Sequence, residues 1–162
     1  MELSDYLIDH STIDWATVLR DWKWLLPKRF TVWLMNRFGD LFIVLDDGSI
    51  HMLEVGGGTL ERVANDRDEF ATLIDEGDNA NLWLMIPLID DLVAAGMTLP
   101  DGKCYGYRLS PVLGGEYTVA NSFVISIAEH FSFHAYLHQQ IKDLPDGAQV
   151  VLTFPDAETT ED

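Results

Sequence analysis

The apolar positions along the chain switch between two periods. From Trp15 they recur at Val18, Leu19, Trp22, Leu25 and Leu26, the spacing of one helix face. Ser11-Thr12-Ile13-Asp14 stands before them as a capping-box start and Pro27 closes them, so a helix is predicted between the two. A tryptophan stripe of this kind belongs in a core. The pattern then shortens. Residues 41–45 form an apolar run, and 49–55 alternate, with Ile50, Met52 or Leu53, and Val55 as the apolar positions. Residues 59–63 read as a third strand. Asp46-Asp47-Gly48 and Gly56-Gly57-Gly58 supply the turns, so three antiparallel strands in a meander are expected.

The helical period returns at Asp66, where Asp66 to Glu69 is a second capping-box signal ahead of Phe70, Leu73 and Ile74. Gly77 is the expected stop. Asn79 or Asn81 opens the next helix, with Leu82, Met85, Ile86, Ile89, Leu92 and Val93 as its stripe and Gly96 as its end. Pro87 lies inside and must kink that helix or divide it. After a turn at Leu99-Pro100-Asp101-Gly102, strands are predicted over 104–109, 117–119 and 122–127, with a break at Gly114-Gly115. A last helix is predicted over 129–142. A turn at Leu144-Pro145-Asp146-Gly147, a short strand over 150–154 and a disordered acidic tail over 156–162 complete the reading. No Ser, Gly or Pro linker separates two cores. The expected fold class is α+β, a mostly antiparallel sheet packed by several helices in a single domain over 1–155.

Charge changes the picture. Asp and Glu total 27 against 10 Lys and Arg, a net charge of −17. Such a field repels nucleic acid and anionic membranes, both polyanions, and attracts basic surfaces. With Cys104 the lone cysteine, an intramolecular disulfide is impossible, as suits a reducing compartment. The start Met1-Glu2-Leu3-Ser4-Asp5 lacks the basic segment and apolar run of a signal peptide, and the apolar stretch 82–89 is too short to span a bilayer. A cytoplasmic location is expected.

Candidate chemistry is sparse. His130, His134 and His138 share one helix face, and a pair at i and i+4 can bind zinc. All three together span about 12 Å, too far for one ion, and no Glu sits where a zincin helix places its base. They read as partly buried histidines, each hydrogen-bonded to a backbone or side-chain partner. Cys104 has no flanking base and reads as a small buried hydrophobe. The triple glycine lacks the lysine and the strand–loop–helix setting of a phosphate cradle. No nucleophile elbow or dinucleotide fingerprint is present. No catalytic residue, cofactor or metal is assigned. Asp46-Asp47, Asp75-Glu76 and Asp90-Asp91 are the carboxylate pairs best placed to meet a basic partner.

Several short stretches together carry a resemblance. They are Gly39-Asp40-Leu41-Phe42, Asp47-Gly48-Ser49, Cys104-Tyr105-Gly106-Tyr107, Leu113-Gly114-Gly115-Glu116, Glu129-His130 and the run from Leu137-His138-Gln139 to Asp146. From about Trp15 to Val151 the chain resembles the C-terminal domain of type VI secretion immunity proteins, as a single-domain member. The resemblance implies a non-enzymatic antidote that binds a cognate secreted antibacterial toxin, in known cases a nuclease. A basic surface on that partner would suit the charge of this chain. The matching residues are Gly39, Asp40, Cys104, Tyr105, Gly106, Gly114, Gly115, Glu116, His130 and His138. The glycines are expected to make tight turns, and no catalytic role attaches to the rest.

Overall fold

Residues 41–45 are apolar at every position because the strand they form is covered on both faces. The computed structural model describes residues 2–144, and the turn, strand and tail expected beyond Leu144 lie outside them. A four-stranded antiparallel sheet runs in the order β1 (Phe30–Met35), β2 (Leu41–Leu45), β3 (Ile50–Glu54), β4 (Thr59–Ala64). Phe42 and Val44 point to one face with Ile50 and Met52. Leu41, Ile43 and Leu53 point to the other. The meander is as expected, with β1 added at its edge. A bulge between Val32 and Leu34 breaks the alternation of β1 and hides it from a period-two reading.

The first face is covered by α2 (Arg67–Leu73), α3 (Asn79–Leu84) and α4 (Ile86–Ala94), through Phe70, Leu84, Leu88, Ile89 and Leu92. The Asp66 side chain caps α2 by accepting the Glu69 amide. Pro87 divides α3 from α4, and Met85 between them takes a left-handed backbone, φ 54°. The second face is covered by the long helix α5 (Ile127–Ile141) through Phe131 and Ala135, and by Leu19 and Trp22. Ser126 caps α5, two residues earlier than expected. A two-stranded ribbon, β5 (Lys103–Tyr107) and β6 (Ser122–Ser126), bridges the two cores. Tyr105 and Tyr107 enter one core and Cys104 the other.

Two expectations are corrected. The helix predicted from Trp15 to Leu26 is only α1 (Trp15–Val18) followed by a 3-10 turn over Arg20–Trp22. Its cap is Asp14, whose carboxylate accepts from Thr17, and Ser11 and Thr12 play no such part. The tighter turn puts Trp22 wholly inside, where its indole N–H donates to the Phe131 carbonyl at 3.0 Å. Residues 117–119 form no strand. The Asn121 side chain holds that segment as a loop, donating to the Glu116 and Leu109 carbonyls and accepting the Leu109 amide. The fold class is α+β, as read from the sequence.

Candidate functional site

Met52 pairs with Glu61 across β3 and β4, so strand alternation puts Met52, Glu54, Glu61 and Val63 on one face. The helices do not cover that end of the sheet. Trp83 of α3, Met85, Leu88 and Asp91 of α4 make a second wall, and Tyr107 of β5 with Tyr117 and Val119 makes a third. The result is a groove of about 790 Å³. Its floor is apolar. Asp40, Glu54, Glu61 and Asp91 are its charged residues, and no Lys, Arg or His among the described residues lines it. Leu82 is 69% exposed and Tyr117 57% exposed, and both line the groove.

Asp40 is the buried carboxylate of the four. One oxygen accepts the Val55 amide at 2.9 Å, and the other accepts the Asn36 side-chain amide at 3.1 Å. Asn36 is itself fixed. Its oxygen accepts the Phe38 and Asp40 amides, and its nitrogen also donates to the Trp83 carbonyl. This network ties the β1–β2 turn, the end of β3 and α3 to one another. Burial drives the Asp40 carboxyl up to about 7, against the two donors that favour its charge.

The three histidines do not converge on a point. His130 Nε2 lies 2.9 Å from the Phe38 carbonyl, and His138 Nε2 lies 2.8 Å from the Val55 carbonyl. Each ring therefore staples α5 to a different hairpin turn. His134 meets His130 edge-on and stacks on His138, and it departs from the expectation, because its buried Nδ1 has no hydrogen-bond partner among the described residues. Burial lowers His130 to about 4 and His134 to about 2, the latter also pushed by its two neighbours; burial lowers His138 as well. Among the described residues no group of three or more His, Cys, Asp or Glu could hold a metal ion. Cys104 is wholly buried, and burial raises its thiol well above the usual range.

The other singled-out residues scatter. Tyr105 is buried and donates to the Met97 carbonyl, while Glu116 is exposed. Gly106 makes no turn. It lies inside β5, where a side chain would press on Ile125 and His130. Gly115 packs its α-carbon against the Leu109 carbonyl with no room for a Cβ. Of the carboxylate pairs, Asp91 lines the groove. Asp90 accepts from the Tyr6 hydroxyl at 2.7 Å, Asp46 meets Arg29 at 2.9 Å, and Asp47 accepts from Ser49. Asp75 and Glu76 are exposed beyond α2, away from the groove lining. Glu54, Glu61 and Trp83 were not singled out by sequence reasoning, and Tyr107 and Tyr117 entered it only within or beside the family motifs. The alternation of Met52 with Glu54 and of Glu61 with Val63 is the signal that marks the strand face.

Residues 64–138 match the family model described as T6SS immunity protein Tdi1, C-terminal. The resemblance drawn from the motifs is borne out over that span, which is shorter than Trp15 to Val151 and leaves Gly39-Asp40 and Asp47-Gly48-Ser49 outside. No curated protein matches the chain. A crystal structure of Atu4351 from Agrobacterium tumefaciens is similar at 19% identity and a TM-score of 0.49, over 74% of this chain and 60% of that one. The chain thus spans less than two thirds of that protein's length. No helix among the described residues is long and apolar enough to cross a membrane.

Proposed function

We propose that this chain, whose residues 64–138 match the family model described as T6SS immunity protein Tdi1, C-terminal, binds a cognate antibacterial toxin and blocks it directly. The observation that carries this reading is the acidic, apolar-floored groove on a chain of net charge −17. A toxin that acts on nucleic acid needs a basic cleft, and a polyanionic protein is steered to such a cleft and competes for it. Asp91 lines the groove, and the exposed Asp46, Asp47, Asp75 and Glu76, with half-buried Asp90, add to the negative field of the chain as a whole. The same field turns away nucleic acid and anionic lipid, so the partner is a protein met in the cytoplasm. No residue is assigned a catalytic part. An inhibitory interface needs on the order of 800 Å² from this chain, more than the groove alone offers, so its rims take part.

The test is protection. A candidate cognate toxin is expressed in a susceptible host with and without the chain. Restored growth, with a complex of the two proteins on gel filtration that weakens as salt rises, is the expected result. Growth arrest unrelieved by the chain, with no complex at low salt, would sink the reading.

A further inference from the structure

We propose that the groove is the receptor for a cationic anchor, an Arg or Lys side chain flanked by apolar residues on the toxin. This rests on the immunity reading and names what the groove holds. The lining admits few alternatives. Glu54, Glu61 and Asp91 stand around a floor of Met52, Val63 and Leu88, Asp40 being already bonded to Val55 and Asn36, and no basic side chain among the described residues lines the groove to neutralise them. A purely apolar occupant would strip water from carboxylates and give them no partner. An anionic occupant is repelled. A long aliphatic stem ending in a cation satisfies both parts, stem on floor and head among carboxylates. Trp83, Tyr107 and Tyr117 add aromatic faces, which attract a cation further.

The rims say that the cation arrives on a protein. Leu82 and Tyr117 are exposed at the groove. A free amine inside it would leave both wet, whereas a protein segment would bury them around the anchor, as the ring of contacts around an interface hot spot does. The chain's own residues 145–162 are a poor occupant by charge, having five acidic residues and no Lys or Arg.

The experiment compares two charge reversals of equal size. Glu54→Lys with Glu61→Lys reverses the groove. Asp101→Lys with Asp143→Lys reverses two exposed carboxylates away from it. Toxin affinity is measured by calorimetry, and folding by thermal midpoint. The expected result is a loss of at least about tenfold for the groove pair, with the wild-type midpoint kept and the distant pair close to wild type. Wild-type affinity in the groove pair, or equal weakening in both pairs, would overturn the anchor and leave charge as a long-range effect only. If the wild-type chain neutralises no toxin, the immunity reading fails, and a blocked Leu-Arg-Leu peptide then decides the groove chemistry. Saturable binding that shifts the Trp83 indole resonance and vanishes in the groove pair supports it. No binding, or equal binding of the Leu-Glu-Leu peptide, overturns it.

Discussion

The Val55 amide donates to the Asp40 carboxylate at 2.9 Å, and the Val55 carbonyl lies 2.8 Å from His138 Nε2. Both polar groups of one peptide strand end are thus held by side chains, one from the β1–β2 turn and one from α5. The carboxylate is buried, and its folded pKa of about 7 lies above the ordinary 3.8. Between those values the folded chain keeps a proton that the unfolded chain has released. Asp40 therefore makes stability fall as pH rises from about 4 to about 7, and it adds no slope above. Asp40→Asn removes this limb. Urea unfolding across that range is expected to show the wild-type advantage over Asp40→Asn shrinking as pH rises. An advantage that grows with pH would mean that the Val55 and Asn36 donors outweigh burial.

The histidines act with the opposite sign. Their folded pKa values lie below the ordinary 6.5, with His130 at about 4 and His134 at about 2. The stability they permit is complete above 6.5 and is lost as pH falls through the window below it. Two substitutions separate their roles at neutral pH. His130→Leu leaves the buried Phe38 carbonyl without its ring partner and is expected to cost about 1–3 kcal/mol. His134→Leu abandons no bond at Nδ1 and is expected to change stability by less than about 1 kcal/mol. Thermal unfolding at pH 7.5 and at pH 5 gives both numbers. A His134→Leu loss as large as that of His130→Leu at pH 7.5 would contradict the assignment.

Two turn glycines offer a matched pair. Gly48 and Gly58 both have positive φ, +86° and +69°. Around Gly48 there is open space, whereas a Cβ on Gly58 would stand 2.7 Å from His138 Nδ1. Gly48→Ala is expected to cost about 1–2 kcal/mol from backbone strain alone. Gly58→Ala adds displacement of the His138 ring and is expected to cost more, with faster amide exchange at Val55. Equal costs by denaturant titration would show that the ring moves aside freely.

The meander, the capped helix at Asp66 and the Pro87 division were legible because each has a local cause: alternation, a side-chain cap, a missing amide. β1 was not, since its bulge erases the period on which strands are read. The loop over 117–119 was misread as strand because its form is set by Asn121, whose bonds reach back to Leu109. The groove was the least legible part. Glu54 and Glu61 are ordinary surface carboxylates in a one-dimensional reading. They become a site only when register sets Met52 opposite Glu61 and when Tyr107 and Trp83 arrive from distant segments. Adjacent carboxylates such as Asp46-Asp47 draw the eye in sequence, yet Asp46 is met by Arg29 and Asp47 folds onto Ser49.

Cys104 sits where a nucleophile could not work. The thiol is fully buried in the core beneath α5, and burial together with the Asp40 charge disfavours its thiolate. Reaction with a disulfide reagent needs the thiolate and access, and the folded chain offers neither. Modification is therefore expected to proceed only through unfolded molecules. At pH 8 without denaturant the labelling rate should fall below that of a free thiol by roughly the unfolding equilibrium constant, on the order of 10³-fold or more for an ordinary stable domain. It should climb with urea along the same curve as the loss of tryptophan signal. Rapid labelling at zero urea with an intact tryptophan signal would show that β5 opens on its own, and the ribbon bridging the two cores would then be the weakest part of the fold.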